Sequence, residues 1–328
     1  MKKFLNDADS LLRDALAGMA SAHADVIKLH ADPCFVRRAA LPPRPKVALV
    51  SGGGSGHEPL HVGFIGRGML DAACPGQVFT SPTPDQMLAA AAEVDRGQGV
   101  LFIVKNYAGD VMNFEIASEM LEIPNATVLV HDDVAVERST YTTGRRGVAG
   151  TVMVEKMVGA AAEAGADLSQ CQALGERVSR ATASMGVAFT SCAVPAAGRA
   201  TFEIGDDEME VGVGIHGEPG RRREKLQRAD AIIDVLVSTI LSDLKPPRGA
   251  ELLLHVNGFG GTPLLELYML QNRAEAQLTW LGFSPVRLLV GNYTTSLEMA
   301  GASLTVTVLD SELKGLWDAP VHTTVLRW

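Results

Sequence analysis

The run Val47-Ala48-Leu49-Val50-Ser51-Gly52-Gly53-Gly54-Ser55-Gly56-His57-Glu58-Pro59 carries an apolar strand directly into three consecutive glycines and then a His-Glu-Pro. Consecutive glycines strip away every Cβ and let backbone N–H groups close on a small polar ligand or phosphate at the C-terminal edge of a sheet. A bare tight turn explains neither the length of the run nor the His-Glu that follows it. A Walker A loop is excluded, because the lysine and hydroxyl of G-x-x-x-x-G-K-[ST] are missing. A helix is expected just past Pro59. The same rhythm of strand, glycine-containing loop and amphipathic segment recurs outward from this point: the apolar run Val100–Val104 precedes Lys105-Asn106-Tyr107-Ala108-Gly109-Asp110, and helical patterns cover Pro84–Val94 and Val111–Leu121. Thr127–Val130 leads to two long helical segments, Gly150–Ala164 and Leu168–Thr182, while Leu5–Ala24 forms an opening helix. The pattern predicts a first α/β domain over residues 1–185, a largely parallel sheet covered by helices.

The second half alternates differently. Val187–Val194 and Glu208–Ile215 read as strands, Ala229–Leu244 and Pro263–Leu281 as helices, and Leu252–Val256, Val286–Val290 and Leu304–Val308 as further strands. A second α/β domain with a mixed sheet is expected over 186–312, with the tail 313–328 packing on a domain already formed. The 328 residues are 47% hydrophobic and 20% charged, which excludes disorder and a small disulfide scaffold. A net charge of -9 argues against nucleic-acid binding. Met1-Lys2-Lys3-Phe4-Leu5 runs into Asp7 and Asp9 without a signal-peptide core, and the uncharged stretch Ala181–Gly198 is too polar for a membrane span. Cys34, Cys74, Cys171 and Cys192 form no C-x-x-C pair and fit reduced core thiols in a cytoplasmic protein.

Three segments can carry chemistry. The glycine run offers His57. Lys105 and Asp110 follow a buried strand that ends at the same sheet edge, Asp110 on its own being an ordinary N-cap candidate. Gly212-Val213-Gly214-Ile215-His216-Gly217-Glu218-Pro219-Gly220 contains a G-x-G-x-x-G string, but its helix does not open until about Ala229, so a dinucleotide site is rejected. Glycines around His216 instead leave an accessible imidazole that can act as nucleophile or base. Arg221–Lys225 reads as a solvated basic turn, Thr262 and Pro263 as the cap and first residue of a helix, and His131-Asp132-Asp133 as a strand-end carboxylate pair with no second cluster to complete a metal site. His23, His30, His61, His255 and His322 receive no role.

Taken together, GGGSGHEP at 52–59, FTSPTPDQ at 79–86, KNYAGD at 105–110, DDVAV at 132–136, GRRGVAGT at 144–151, GVGIHGEPG at 212–220 and WDAP at 317–320 resemble the K subunit of dihydroxyacetone (glycerone) kinases, over essentially the whole chain. The resemblance implies a homodimer that holds dihydroxyacetone as a hemiaminal on His216. It implies substrate contacts from Gly54, His57, Lys105 and Asp110, with Asp110 as base on the hydroxyl that receives phosphate and His57 assisting. It also implies no cofactor or metal on this chain. The nucleotide, ADP or ATP with Mg, belongs to a partner L subunit, recharged by a phosphotransferase-system protein or exchanged directly. Two alternatives share the adduct histidine: a non-catalytic paralogue that senses dihydroxyacetone, and a kinase subunit for another short ketose such as erythrulose.

Overall fold

In a computed structural model that describes residues 2–135, 144–218 and 220–328, the apolar runs pair into two six-stranded sheets. The first contains β1 (Ile27–Ala31), β2 (Cys34–Arg38), β3 (Ala48–Ser55), β5 (Ala72–Val78), β6 (Val100–Lys105) and β7 (Asn125–Val130), in the order β1-β2-β5-β3-β6-β7. Its β5-β3-β6-β7 part is parallel, and β1 and β2 add antiparallel edges. The short β4 (Gly66–Arg67) lies outside it. The second sheet has the order β12-β11-β8-β15-β13-β14, from β8 (Thr182–Ala188), β11 (Glu208–Val211), β12 (Arg222–Lys225), β13 (Glu251–Gly258), β14 (Ser284–Gly291) and β15 (Gly301–Leu309). Only β13 and β14 run parallel in it, so the expected mixed sheet is found. Two-residue strands β9 (Ala193–Val194) and β10 (Arg199–Ala200) form a separate hairpin.

Helices fill three layers. The helices α2 (Pro84–Val94) and α3 (Ala108–Met120) pack Met87, Ala90 and Phe114 on one face of the first sheet. Opposite them, α4 (Gly150–Glu163) and α5 (Leu168–Arg180) contribute to an apolar core that also takes Leu253, Leu289 and Leu309 from the second sheet. Thirteen of the fourteen residues of α4 are buried, as a helix lying between two sheets requires. The outer face of the second sheet is covered by α6 (Ala229–Leu244) and α7 (Leu264–Trp280). The opening helix α1 (Leu11–Ala22) is shorter than its expected span. In the tail, α8 (Ser311–Asp318) buries Leu313 and Trp317 in the shared core, and β16 (His322–Thr323) pairs with β4.

Several boundaries differ from expectation for local reasons. Strand β8 runs through residue 185 and belongs wholly to the second sheet, so the change of sheet falls after α5, before Thr182. The glycines 52–54 are not a loop: they continue β3, pairing with Cys74, Pro75 and Gly76 of β5, and the expected helix after Pro59 is only a single 3-10 turn at Val62–Phe64. Pro263, not Thr262, occupies the N-cap of α7, because the Thr262 hydroxyl is spent on the Gly301 carbonyl at 2.7 Å. Arg221 is no solvated turn residue either, since it donates to the carbonyls of Ala135 and Val134. Val136 and Pro219, both within the recognised motifs, lie outside the described residues.

Candidate active site

The parallel strands β3 and β6 end side by side, and their C-terminal ends deliver two of the three chemical segments to one place. Strand β6 finishes on Lys105, and α3 begins three residues later. Tyr107 is the N-cap of α3, so Asp110 sits inside its first turn rather than capping it. There the helix N-terminus favours a carboxylate. The third segment comes from the second sheet. After β11, Gly217 N–H donates to the Gly214 carbonyl at 3.0 Å, a tight turn that presents His216 to the first sheet's edge. The loop between β14 and β15 clasps the glycine run from the same side, with Leu297 N–H donating to the Gly56 carbonyl at 2.8 Å.

Where these meet is a cleft of about 340 Å³ lined by Gly54, Phe79, Tyr107, Asp110, His216 and Glu218. A larger cavity of about 410 Å³ lies beneath α1, but its lining is mostly apolar and includes neither Asp110 nor His216, so size does not identify the site. His57 and His216 approach with their Nε2 atoms 3.1 Å apart. The other nitrogen of each ring is committed: His57 Nδ1–H donates to the Thr295 carbonyl at 2.8 Å, and His216 Nδ1–H donates to Glu218 Oε1 at 3.0 Å. Burial, reinforced by His216 and Lys105, drives the His57 imidazolium well below the usual histidine range.

Glu218 anchors the pair. Its second oxygen accepts the His216 backbone N–H at 2.9 Å. Burial by itself raises this carboxyl, but His216 and the fully buried Arg146 more than offset it and hold it down at about 2. Because folding depresses Glu218, its contribution to stability is complete above the ordinary carboxylate value and is lost as pH falls towards 2. Arg146 is fixed by Asp133 Oδ2 at 2.8 Å and by the Gly212 carbonyl at 2.7 Å. The neighbouring Asp132 accepts Val148 N–H and Gly150 N–H at the start of α4, so the Asp132-Asp133 pair holds backbone and Arg146 in place. Among the described residues no group of three or more His, Cys, Asp or Glu is placed to hold a metal.

Aromatic rings box the imidazoles. Phe79 stacks on His57 with centroids 5.0 Å apart, and Tyr107 meets the His216 ring edge-on at 4.5 Å. Phe79 takes a left-handed φ of 56°, a strain for a non-glycine residue that persists where packing over-determines it. Lys105 is fully buried behind the cleft wall, 3.5 Å from Asp110 Oδ2. The other Asp110 oxygen, Oδ1, has no hydrogen-bond partner among the described residues. The structure thus brings together Gly54, His57, Lys105, Asp110 and His216. Tyr107, Phe79, Arg146 and Glu218 all lay within the quoted motifs but drew no role, since nothing local tells a wall or anchoring residue from a neutral one.

A small cleft thus holds a boxed imidazole whose far nitrogen is pinned by a carboxylate, next to a second carboxylate with one oxygen unpartnered among the described residues, groups of the kind that nucleophilic and acid–base chemistry uses. The chain matches the Dak1 domain over residues 17–325 and belongs to that family. It is 47% identical, over 100% of its length and 99% of the relative's, to the dihydroxyacetone-binding subunit of a PEP-dependent dihydroxyacetone kinase from Escherichia coli. Among solved structures it superposes with a TM-score of 0.90 and 32% identity on a dihydroxyacetone kinase operon co-activator, covering 95% of this chain and 97% of that one. On the native dihydroxyacetone kinase of C. freundii the TM-score is 0.88 at 34% identity, covering 99% of this chain but 60% of that longer one.

Proposed function

We propose that this chain is the dihydroxyacetone-binding subunit of a dihydroxyacetone kinase, holding the ketose as a hemiaminal on His216 while phosphate is transferred to its hydroxyl. The observation that carries this reading is the shared cleft: His216, its Nδ1 pinned by Glu218 and its Nε2 meeting only His57 among the described residues, lines the same space as Asp110, whose Oδ1 has no partner among them. His216 Nε2 attacks the carbonyl carbon, the C=O π pair moves to oxygen, and that oxygen takes one proton from solvent, with the neutral His57 Nε2 accepting from the new hydroxyl. The result is a C–N bond, a C–OH group, a neutral His57, and a His216 imidazolium whose Nδ1–H remains on the Glu218 carboxylate. Asp110 then accepts the proton of the terminal hydroxyl as its oxygen attacks the phosphorus of the donor, and the nucleotide departs as leaving group. Reversal of the first step releases dihydroxyacetone phosphate.

A reversible covalent bond suits this ligand. Dihydroxyacetone is small and hydrophilic, so apolar burial contributes little affinity, and the adduct offsets the entropy cost of fixing it. It also rejects glycerol, which has no carbonyl. The donor nucleotide, ADP or ATP with Mg, sits on a partner subunit that a phosphotransferase-system protein recharges, in keeping with the PEP dependence of the Escherichia coli relative and with the additional length of the C. freundii chain. The assembly is a cytoplasmic homodimer with that partner; among the described residues no helix is long and apolar enough to cross a membrane. Likeness to an operon co-activator favours a second reading, a ligand sensor. A sensor needs only the adduct histidine, so the additional presence of Asp110 in the cleft favours catalysis.

Intact-protein mass spectrometry after incubation with dihydroxyacetone tests the proposal, with one added substrate expected. A protein that gains no mass there and binds no ketose in a crystal soak sinks it. Glu218→Gln keeps an acceptor for Nδ1–H but removes the counter-charge of the adduct. Calorimetric titration is expected to show dihydroxyacetone binding weakened about 10–100-fold, the range typical when the carboxylate behind a working histidine is lost.

A further inference from the structure

Behind the cleft wall lies a chain of buried polar groups that the chemistry above does not use. Lys105 Nζ is 2.9 Å from His61 Nε2, His61 Nδ1 is 2.7 Å from Glu155 Oε1, and the Ser51 hydroxyl, 2.9 Å from the same Nδ1, donates to the Ile103 carbonyl at 2.6 Å. Lys105 and Glu155 are fully buried and His61 nearly so. With Lys105 as its ammonium, the hydrogen-bond roles follow. An ammonium only donates, so His61 Nε2 must carry the lone pair and Nδ1 the proton. The Ser51 proton is already spent on Ile103, so Nδ1–H has Glu155 Oε1 and the Ser51 oxygen as its acceptors.

We propose that His61 is a positioning residue for the phosphate-accepting end of the site: its Nε2 clamps the Lys105 ammonium against Asp110, and Glu155 fixes the tautomer that makes the clamp possible. The proposal rests on the reading of Asp110 as base. A lysine ammonium is a point charge on a flexible stem with rotatable donors, and without an acceptor on its far side nothing sets where it stops. His61 supplies that stop. Burial, together with Lys105 and His57, holds the His61 imidazolium well below its ordinary range, so the ring stays a neutral acceptor rather than repelling the ammonium. The backbone has made room for the clamp: a Cβ on Gly53 would stand 2.2 Å from Lys105 Nζ, 3.4 Å from His61 Nε2 and 3.5 Å from Asp110 Oδ2. The middle glycine of the run therefore serves the buried side of β3, where these three groups converge.

Two variants separate this role from mere packing. His61→Phe fills the space but cannot accept from Lys105, whereas His61→Gln offers an amide oxygen near the Nε2 position. With the nucleotide-bearing partner subunit and its phosphoryl donor present, His61→Phe is expected to lower kcat about 10–100-fold, in the range of outer-shell positioning residues. Binding of dihydroxyacetone to His216, read by mass and calorimetry, should change less than twofold, and His61→Gln should recover most of kcat. Equal loss of adduct formation and turnover, or a glutamine variant no better than phenylalanine, overturns the proposal. If His61→Phe does not fold, long-range 1H–15N spectra of the wild-type histidines decide instead, with His61 assigned by its disappearance in His61→Gln. A proton on Nδ1 is expected, and one on Nε2 overturns the clamp. Asp110→Asn run alongside keeps the two readings apart: normal turnover there removes the base itself, whereas lost turnover beside an unaffected His61→Phe removes only the clamp.

Discussion

His216→Ala is expected to gain no mass on incubation with dihydroxyacetone under conditions in which the wild-type protein gains one substrate. It is also expected to lose phosphoryl transfer by about 10³-fold or more, the scale on which a tethered reactant outpaces a free one. The geometry makes the expectation sharp. His57 is the neighbouring imidazole, but it is stacked under Phe79 and buried to 1% exposure, so it cannot take over as nucleophile. His216 is the more open ring, with its side chain 20% exposed. The substitution spares the fold, because Glu218 keeps the backbone N–H of residue 216 and the pull of Arg146. Glycerol gives the internal control, since it matches the ligand in size and lacks the electrophilic carbon. An alanine variant that still gains mass places the adduct on another residue and removes His216 from the centre of the mechanism.

The sequence reading succeeds where one signal repeats along a segment and fails where a contact between distant segments decides the outcome. Helix α6 matches its expected span at both ends, and α2 likewise, because apolar periodicity marks both locally. The glycine run reads as a loop because residues without side chains show no periodicity at all; only the partners on β5 make it a strand. Helix α3 was expected to start at Val111, since glycine is a poor helix former. It starts at Ala108 and takes Gly109 into its first turn, where a Cβ would come 2.7 Å from Ser81 Oγ, so Asp110 lies in the first turn and not at the cap.

Within the site, the residues that touch ligand space stood out by glycines and strand ends, but their anchors did not. Partners such as His57 and His216 are 159 residues apart, and His61 and Glu155 are 94 apart. No spacing rule reaches across such separations. His61 receives no role from the sequence, since Lys105 reaches it only from β6 in the folded chain. Glu218 differs in being only two residues from His216, so a carboxylate close to an exposed imidazole was a signal that could have been read.

Asp110→Asn is expected to leave the His216 adduct intact and to lower turnover with the partner subunit by about 10²–10⁴-fold, the usual contribution of a positioned general base. The pairing of outcomes follows from where the residue sits. Asp110 belongs to the α3 end of the cleft and makes no hydrogen bond to either imidazole, so carbon–nitrogen bond formation does not depend on it. Asp110 is only 3% exposed and its Oδ1 has no partner among the described residues, a cost that is explained if Oδ1 accepts the substrate hydroxyl as its proton leaves. Asparagine has nearly the same shape and can still face Lys105 with its amide oxygen, but it cannot take a proton. Steric or folding explanations for lost turnover are therefore weak for this substitution. Measured together, a full adduct mass and an absent phosphorylated product assign Asp110 to the second step alone. Loss of both signals would instead make the carboxylate part of the binding machinery, and normal turnover would leave the proton to another base.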